Sequence, residues 1–155
     1  MKTSVIKGSM DYLGDCEQAL VNSKLGRIYF NKSESAKKAL EKGFSEDKIY
    51  VALDDNKNCV GFIWFALNGA FHSFPYLHII AVKEQYRNKG IGTKLLKFFE
   101  DRCFENNSKL FLVVADFNPD AKRLYESMGY VEVGRIPDLY KDGITEHLMM
   151  KVKAD

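Results

Sequence analysis

From residue 87 to 93 the chain reads Arg-Asn-Lys-Gly-Ile-Gly-Thr, directly after a β-rich run and directly before an amphipathic one. The chemistry this stretch supports is anion binding. A helix start exposes backbone N–H groups that lack intrahelical partners and carries a partial positive charge, and glycine lets a phosphate approach that backbone closely. Lys83, Arg87, Lys89 and Lys94 add cationic charge in the same region. Taken alone, the stretch reads equally well as a tight turn with a solvated basic face. Two familiar phosphate loops do not fit: the dinucleotide fingerprint needs glycine where the chain has Leu95, and the P-loop needs Gly-Lys-Ser/Thr where it has Gly92-Thr93-Lys94.

The elements that must position this loop follow from periodicity. Phe74 to Val82 is a strand-forming run, and after Gly90 the residues Ile91, Leu95, Phe99 and Cys103 recur every four positions, the spacing of a helix with one buried face. Upstream, the pattern predicts a strand near Thr3 to Lys7, a helix near Met10 to Val21, and a helix near Ser33 to Lys42. Ser33 is the expected N-cap of the last and Gly43 its left-handed C-cap. Lys48 to Leu53 and Asn58 to Leu67 form a hairpin across Asp54-Asp55-Asn56-Lys57. Leu110 to Ala115 is a strand covered on both faces, Pro119 to Met128 a helix closed by Gly129, and Tyr130 to Ile136 and Glu146 to Val152 are two strands joined across Lys141-Asp142-Gly143. Hairpins mixed with strand-helix-strand units imply an α/β layered sheet of mixed direction.

The totals narrow the class. A chain of 155 residues with 46% hydrophobic and 28% charged residues is the profile of one folded domain, 1–155, rather than of a disordered segment. A formal net charge of +2 gives no general call for a polyanion. Cys16, Cys59 and Cys103 contain no Cys-x-x-Cys pair and read as reduced core thiols, and His72, His78 and His147 are too scattered for a metal cluster, so no metal is expected. Apolar runs are too short to span a bilayer, and Met1-Lys2-Thr3-Ser4 opens without a signal-peptide core, so a cytoplasmic protein with no membrane partner is expected.

A second block, Asn118-Pro119-Asp120-Ala121-Lys122-Arg123-Leu124-Tyr125-Glu126-Ser127-Met128-Gly129-Tyr130, follows the loop. Together, Arg-x-x-Gly-x-Gly and Asn-x-x-Ala-x-x-Leu-Tyr-x-x-x-Gly-Tyr resemble the two motifs of the GNAT superfamily of acetyl-CoA-dependent N-acetyltransferases, in order and spacing, over roughly Lys48 to Val152. The resemblance implies a single-domain α/β fold with a mixed, mostly antiparallel sheet and helices on both faces, in the order β-α-α-β-β-β-α-β-α-β-β. It implies acetyl-CoA as cosubstrate, an amine acceptor, and a monomer or homodimer.

The same resemblance implies residue roles. The strand before the loop splays from its neighbour, with the Val82 amide donating to the acetyl carbonyl. Backbone groups of Asn88, Lys89, Gly90, Ile91, Gly92 and Thr93 hold the pyrophosphate, while Arg87 either contacts it or shapes the loop. Asn118 either touches the cofactor arm or caps the following helix. Tyr125 either protonates the departing thiolate or is an aromatic core residue. A phenol of pKa about 10 can serve a sulfur whose thiol pKa is about 8.5.

An acceptor amine of pKa about 10.4 must shed a proton before it attacks, and no Asp or Glu lies between Ala70 and Lys83. His78 on the central strand is the candidate base, with a structural role as the alternative. Acceptor specificity is expected from Leu25 to Phe30, Phe71 to Tyr76 and Pro137 to Tyr140, with Asp138, Glu46 or Asp47 attracting a cationic amine. The activity implied is acetyl transfer to a primary amine of a small molecule or of a peptide or protein, by direct attack on the thioester. A non-catalytic acyl-CoA-binding or sensing domain is the alternative. A nucleic-acid-binding module built on Lys83, Arg87, Lys89, Lys94 and Lys97 is disfavoured by the near-balanced charge, so no nucleic-acid partner is expected.

Overall fold

A computed structural model describes residues 2–155; Met1, the first residue of the expected leaderless N-terminus, lies outside the described residues. Among these residues the strands are β1 (Ser4–Lys7), β2 (Ile49–Leu53), β3 (Cys59–Ala70), β4 (Phe74–Val82), β5 (Lys109–Ala115), β6 (Val131–Pro137) and β7 (Thr145–Val152). The α-helices are α1 (Leu13–Val21), α2 (Lys24–Tyr29), α3 (Ser35–Ser45), α4 (Ile91–Cys103) and α5 (Pro119–Ser127), with short 3-10 turns at Met10–Tyr12 and Glu84–Tyr86. The strands form a seven-stranded sheet in the order β1-β2-β3-β4-β5-β7-β6. The β1/β2, β2/β3, β5/β7 and β6/β7 pairs are antiparallel, and β4/β5 is parallel. No helix among the described residues is long and apolar enough to cross a membrane.

Two compact units divide the chain: one spans the N-terminal segment to Phe65 with Ile79–Phe99, the other Ala66–His78 with Glu100–Asp155. The core of the first gathers Cys16, Ala19 and Leu20 from α1, Ala36, Leu40 and Phe44 from α3, and Ile49, Val51, Phe62, Trp64, Ile79 and Ala81 from the strands. In α4 the residues at the four-residue spacing, Ile91, Leu95, Phe99 and Cys103, are all buried, as the amphipathic pattern requires. The second unit is built on β5, where Leu110, Phe111, Leu112, Val114 and Ala115 are buried, together with Tyr125, Tyr130 and Met149.

The N-terminal helices differ from expectation. The helix placed at Ser33 to Lys42 runs instead from Ser35 to Ser45, and its N-cap is Glu34, in the left-handed region at φ 66°. Gly43 does not end it. A Cβ there would lie 2.7 Å from Ile49 Cδ1 and 3.0 Å from the Trp64 ring, so glycine serves close packing of helix on sheet. The left-handed residue is Asp47, at φ 57°. Lys48 N–H donates to Gly43 C=O and Asp47 N–H to Phe44 C=O, the two bonds that close a Schellman end. The expected helix near Met10 to Val21 opens as a 3-10 turn and ends at Val21, and the segment after it folds as α2, whose N-cap Ser23 accepts the Gly26 N–H over 3.0 Å. A helix of six residues is too short to show as periodicity.

Candidate functional site

The loop before α4 is built on two left-handed residues, Asn88 at φ 61° and Gly90 at φ 79°. Asparagine tolerates this conformation and glycine adopts it without a Cβ penalty. Ile91, 3% exposed, fixes the first turn of α4 to the core, and the first helical hydrogen bond in this turn runs from Lys94 N–H to Gly90 C=O. Among the described residues, the backbone N–H groups from Asn88 to Thr93 donate to no protein acceptor. A Cβ at Gly90 or Gly92 would meet nothing within 4 Å. Gly90 is required by its backbone angle. Gly92 sits in a helical turn with open space around it, so the chain's own packing gives it no reason to be glycine.

The cations expected around this loop are mostly occupied by the protein. Lys83, 9% exposed, pairs with Asp15 over 2.6 Å. Lys94 Nζ donates to the Thr3 carbonyl oxygen. Arg87 donates from Nε to the Val82 carbonyl oxygen over 3.2 Å and from Nη2 to the Asn22 carbonyl oxygen over 3.0 Å. Lys89 is exposed. Anion-binding capacity here therefore resides in the backbone donors more than in the side chains. Of the two roles open to Arg87, these bonds match loop shaping.

Directly after β4, Lys83 N–H donates to Val60 C=O of β3 over 2.8 Å. Alternate residues of an antiparallel strand face opposite edges, so the Val82 N–H points away from β3, on the side where its carbonyl meets Arg87. The ladder joining β4 to β5 consists of Tyr76↔Phe111 and Leu77↔Leu112. β4 itself runs on to Val82.

The second unit holds the remaining candidates. Asn118 occupies the N-cap position of α5, but its side chain makes no capping bond. Its backbone carbonyl accepts the Lys122 N–H while the side-chain amide has no hydrogen-bond partner among the described residues, which removes the capping explanation. Tyr125 is 7% exposed and packs edge-on to Tyr130 at 6.0 Å, and burial pushes its phenol above the ordinary range. His78 is exposed on β4, its ring 6.3 Å from that of Tyr76.

Tyr76 and Tyr140 meet hydroxyl to hydroxyl at 3.3 Å, bringing together two of the segments expected to shape acceptor specificity. The Tyr76 phenol is pushed up, first by burial, then by Tyr140, with smaller contributions from Glu146 and Tyr125. The acids expected to attract an amine have other work. Asp138 accepts the Gly143 N–H over 2.6 Å, Asp47 pairs with Lys7 over 3.2 Å, and Glu46 pairs with Lys48 over 3.2 Å. Glu146 of β7, outside the segments expected to shape acceptor specificity, is 2% exposed.

Comparison with known proteins supplies the family. The pattern of the acetyltransferase (GNAT) family matches residues 18–130. An uncharacterised N-acetyltransferase of Methanocaldococcus jannaschii is 42% identical over 82 residues, 50% of this chain and 53% of that one. The S-(2-succino)cysteine N-acetyltransferase of Bacillus subtilis is 33% identical over 87 residues, 54% of this chain and 52% of that one. These matches thus span about half the length of both relatives. An N-alpha-acetyltransferase of Saccharolobus solfataricus is 32% identical over 113 residues, 66% of this chain and 67% of that one. Among solved structures, Ard1 from Thermoplasma volcanium superposes over 100% of both chains with a TM-score of 0.80 at 20% identity, a likeness of fold. The matched span includes both motifs, Arg87 to Gly92 and Asn118 to Tyr130, and the chain belongs to the GNAT family of acetyltransferases.

Proposed function

We propose that this chain moves the acetyl group of acetyl-CoA to a primary amine of a small molecule or of a peptide or protein, by direct attack of the amine on the thioester. The observation that carries this reading is the row of backbone N–H groups from Asn88 to Thr93, left without protein acceptors among the described residues at the start of α4. A diphosphate suits such a row, because each donor is aimed by the backbone and the helix start favours negative charge. The open space at Gly92 is a second support: no protein atom lies within 4 Å of where a Cβ would stand, so a phosphate can approach the main chain there.

Acetyl-CoA supplies an acyl thioester already activated for transfer. In this reading the loop amides anchor its diphosphate and the Asn118 amide holds its arm. The Val82 N–H donates to the thioester carbonyl oxygen as negative charge gathers there, the role of an oxyanion-hole donor. Tyr125 stays protonated because burial pushes its phenol up, so it reaches the sulfur as a neutral hydrogen-bond donor. Full proton transfer from so weak an acid to a thiolate is uphill, so its contribution is to stabilise the thiolate until the amine's own surplus proton arrives. The name of the S. solfataricus relative, an N-alpha-acetyltransferase, supports an amine as acceptor. That amine arrives as an ammonium, which calls for a proton acceptor, and His78 is the candidate.

The test is thiol release from acetyl-CoA across a panel of primary amines, alongside calorimetric binding of acetyl-CoA. Amine-dependent release supports the transferase. Tight acetyl-CoA binding with no release from any amine, unaltered by Tyr125→Phe, supports the acyl-CoA-binding or sensing domain instead.

A further inference from the structure

We infer that Glu100, held by Lys151, is a positioning residue for Tyr125 and acts through the ring of Tyr130, an inference that rests on the thiolate-stabilising role proposed above for Tyr125. All four residues belong to one compact unit. Glu100 lies towards the end of α4 at 5% exposure, Tyr130 between α5 and β6 at 2%, and Lys151 on β7. Lys151 Nζ is the link between the other two. It donates to Glu100 Oε1 over 2.7 Å and stands over the Tyr130 ring, 5.8 Å from its centre. The lysine stem passes Gly129, where a Cβ would lie 3.4 Å from Lys151 Cε.

The carboxylate and the ring gathered by that ammonium each carry a buried polar atom with no hydrogen-bond partner: Glu100 Oε2 and the Tyr130 hydroxyl. Among the described residues no other buried side-chain oxygen or nitrogen is left so. Buried polar atoms in folded proteins are nearly always bonded, and these two are complementary, because an ionised carboxylate oxygen accepts and a phenol donates. Burial raises the Tyr130 phenol and Glu100 raises it further, so the hydroxyl keeps the proton that such a bond needs. The proposed bond runs from that hydroxyl to Glu100 Oε2. Buried ion pairs give little net stability over apolar packing, and their best-attested use is to fix one arrangement.

The arrangement fixed here is that of Tyr125. Tyr130 meets it twice: its N–H donates to the Tyr125 carbonyl oxygen over 3.0 Å, and the two rings pack edge-on with 64° between their planes. Among the described residues the Tyr125 hydroxyl has no protein hydrogen-bond partner, as a donor kept for a thiolate requires. Its aim is therefore set by ring packing. A hydrogen bond at the far end of the Tyr130 ring fixes both side-chain torsions, and with them the surface that Tyr125 packs against.

The test is a double-mutant cycle on the full chain, with an amine that supports thiol release. Tyr130→Phe deletes only the orphaned hydroxyl, so the melting temperature is expected to hold. It should lower kcat about tenfold while the amine KM and the acetyl-CoA dissociation constant stay within about twofold. In a Tyr125→Phe background the same substitution should change kcat by less than about twofold, because the group it positions is gone. Glu100→Gln combined with Lys151→Met removes the ion pair without leaving either charge alone, and it should reproduce the loss. That paired variant alters no atom of either tyrosine. The carbon-13 resonance of the Tyr125 ring carbon bearing the hydroxyl, assigned by its loss in Tyr125→Phe, should nevertheless move in it, without any substrate present. Losses of kcat that simply add in the cycle, or a Tyr125 resonance unmoved in the paired variant, would overturn the inference while leaving the transferase intact. A wild-type chain that releases no thiol with any amine would instead defeat the transferase reading, and the Tyr125 resonance would still decide whether Glu100 fixes that ring.

Discussion

Arg87 and Asn22 are joined by a 3.0 Å hydrogen bond from the guanidinium Nη2 to the main-chain carbonyl oxygen that follows α1. With the bond from Nε to Val82, this ties the loop before α4 to both β4 and the end of α1. A cation is well placed there, because the last carbonyls of a helix lack partners and carry partial negative charge. Arg87→Ala is expected to lower stability by about 1–3 kcal/mol in denaturant melts, the range for hydrogen bonds from a charged donor. Acetyl-CoA binding should weaken as the loop loosens, but the dependence of affinity on salt should match the wild type. A clearly shallower salt dependence in the variant would identify Arg87 as a direct phosphate contact.

The two glycines Gly92 and Gly43 should respond oppositely to alanine. At Gly92 nothing in the protein obstructs a Cβ, and alanine favours a helix over glycine by up to about 1 kcal/mol, so melting temperature should hold or rise. Acetyl-CoA affinity should fall at least tenfold. At Gly43 the same methyl meets Ile49 and Trp64, and the overpacking should cost about 1–3 kcal/mol of stability with cofactor affinity little changed. Calorimetric binding and thermal melts of both variants check the contrast.

Tyr125→Phe removes one oxygen from a buried ring that stays packed against Tyr130. If the phenol acts on the departing sulfur, kcat should fall roughly 100-fold while the acetyl-CoA dissociation constant changes little. Steady-state kinetics beside equilibrium binding separate the two quantities. An equal loss in both would assign the residue to packing.

Acid lability should report on Glu132. Its carboxyl accepts from Lys122 over 2.9 Å, from the His147 ring, and from Arg135 over 3.1 Å, and these partners, Lys122 foremost, push it down to about 2. Because the folded value lies below the ordinary 4.5, the stabilisation is complete above about 4.5 and is lost as pH falls towards 2. Denaturant melts should therefore show the wild type losing its advantage over Glu132→Gln across that window. A gap unchanged down to pH 2 would contradict the assignment.

Much of this was legible in the residues because the relevant physics is local. The four-residue spacing from Ile91 to Cys103 marks α4, Phe74 to Val82 is bounded as observed, and Pro119 and Gly129 bracket α5 as start and stop signals. Tertiary contact decided the rest. Gly43 has the sequence look of a helix end, yet its missing side chain answers to Ile49 and Trp64 across a helix–sheet contact. Lys83, Lys94 and Arg87 look like a basic patch in a linear reading, and only folding pairs them with Asp15, Thr3 and Asn22.

The account turns on what the main chain from Asn88 to Thr93 does when acetyl-CoA is present. Two-dimensional proton–nitrogen NMR of the full chain, titrated with acetyl-CoA, reads those amides one by one. The predicted result is a saturable downfield movement of several of the six N–H resonances, with one dissociation constant that also fits calorimetry, and its loss in Gly92→Ala. Binding of acetyl-CoA with these resonances unmoved, and shifts confined elsewhere, would contradict it.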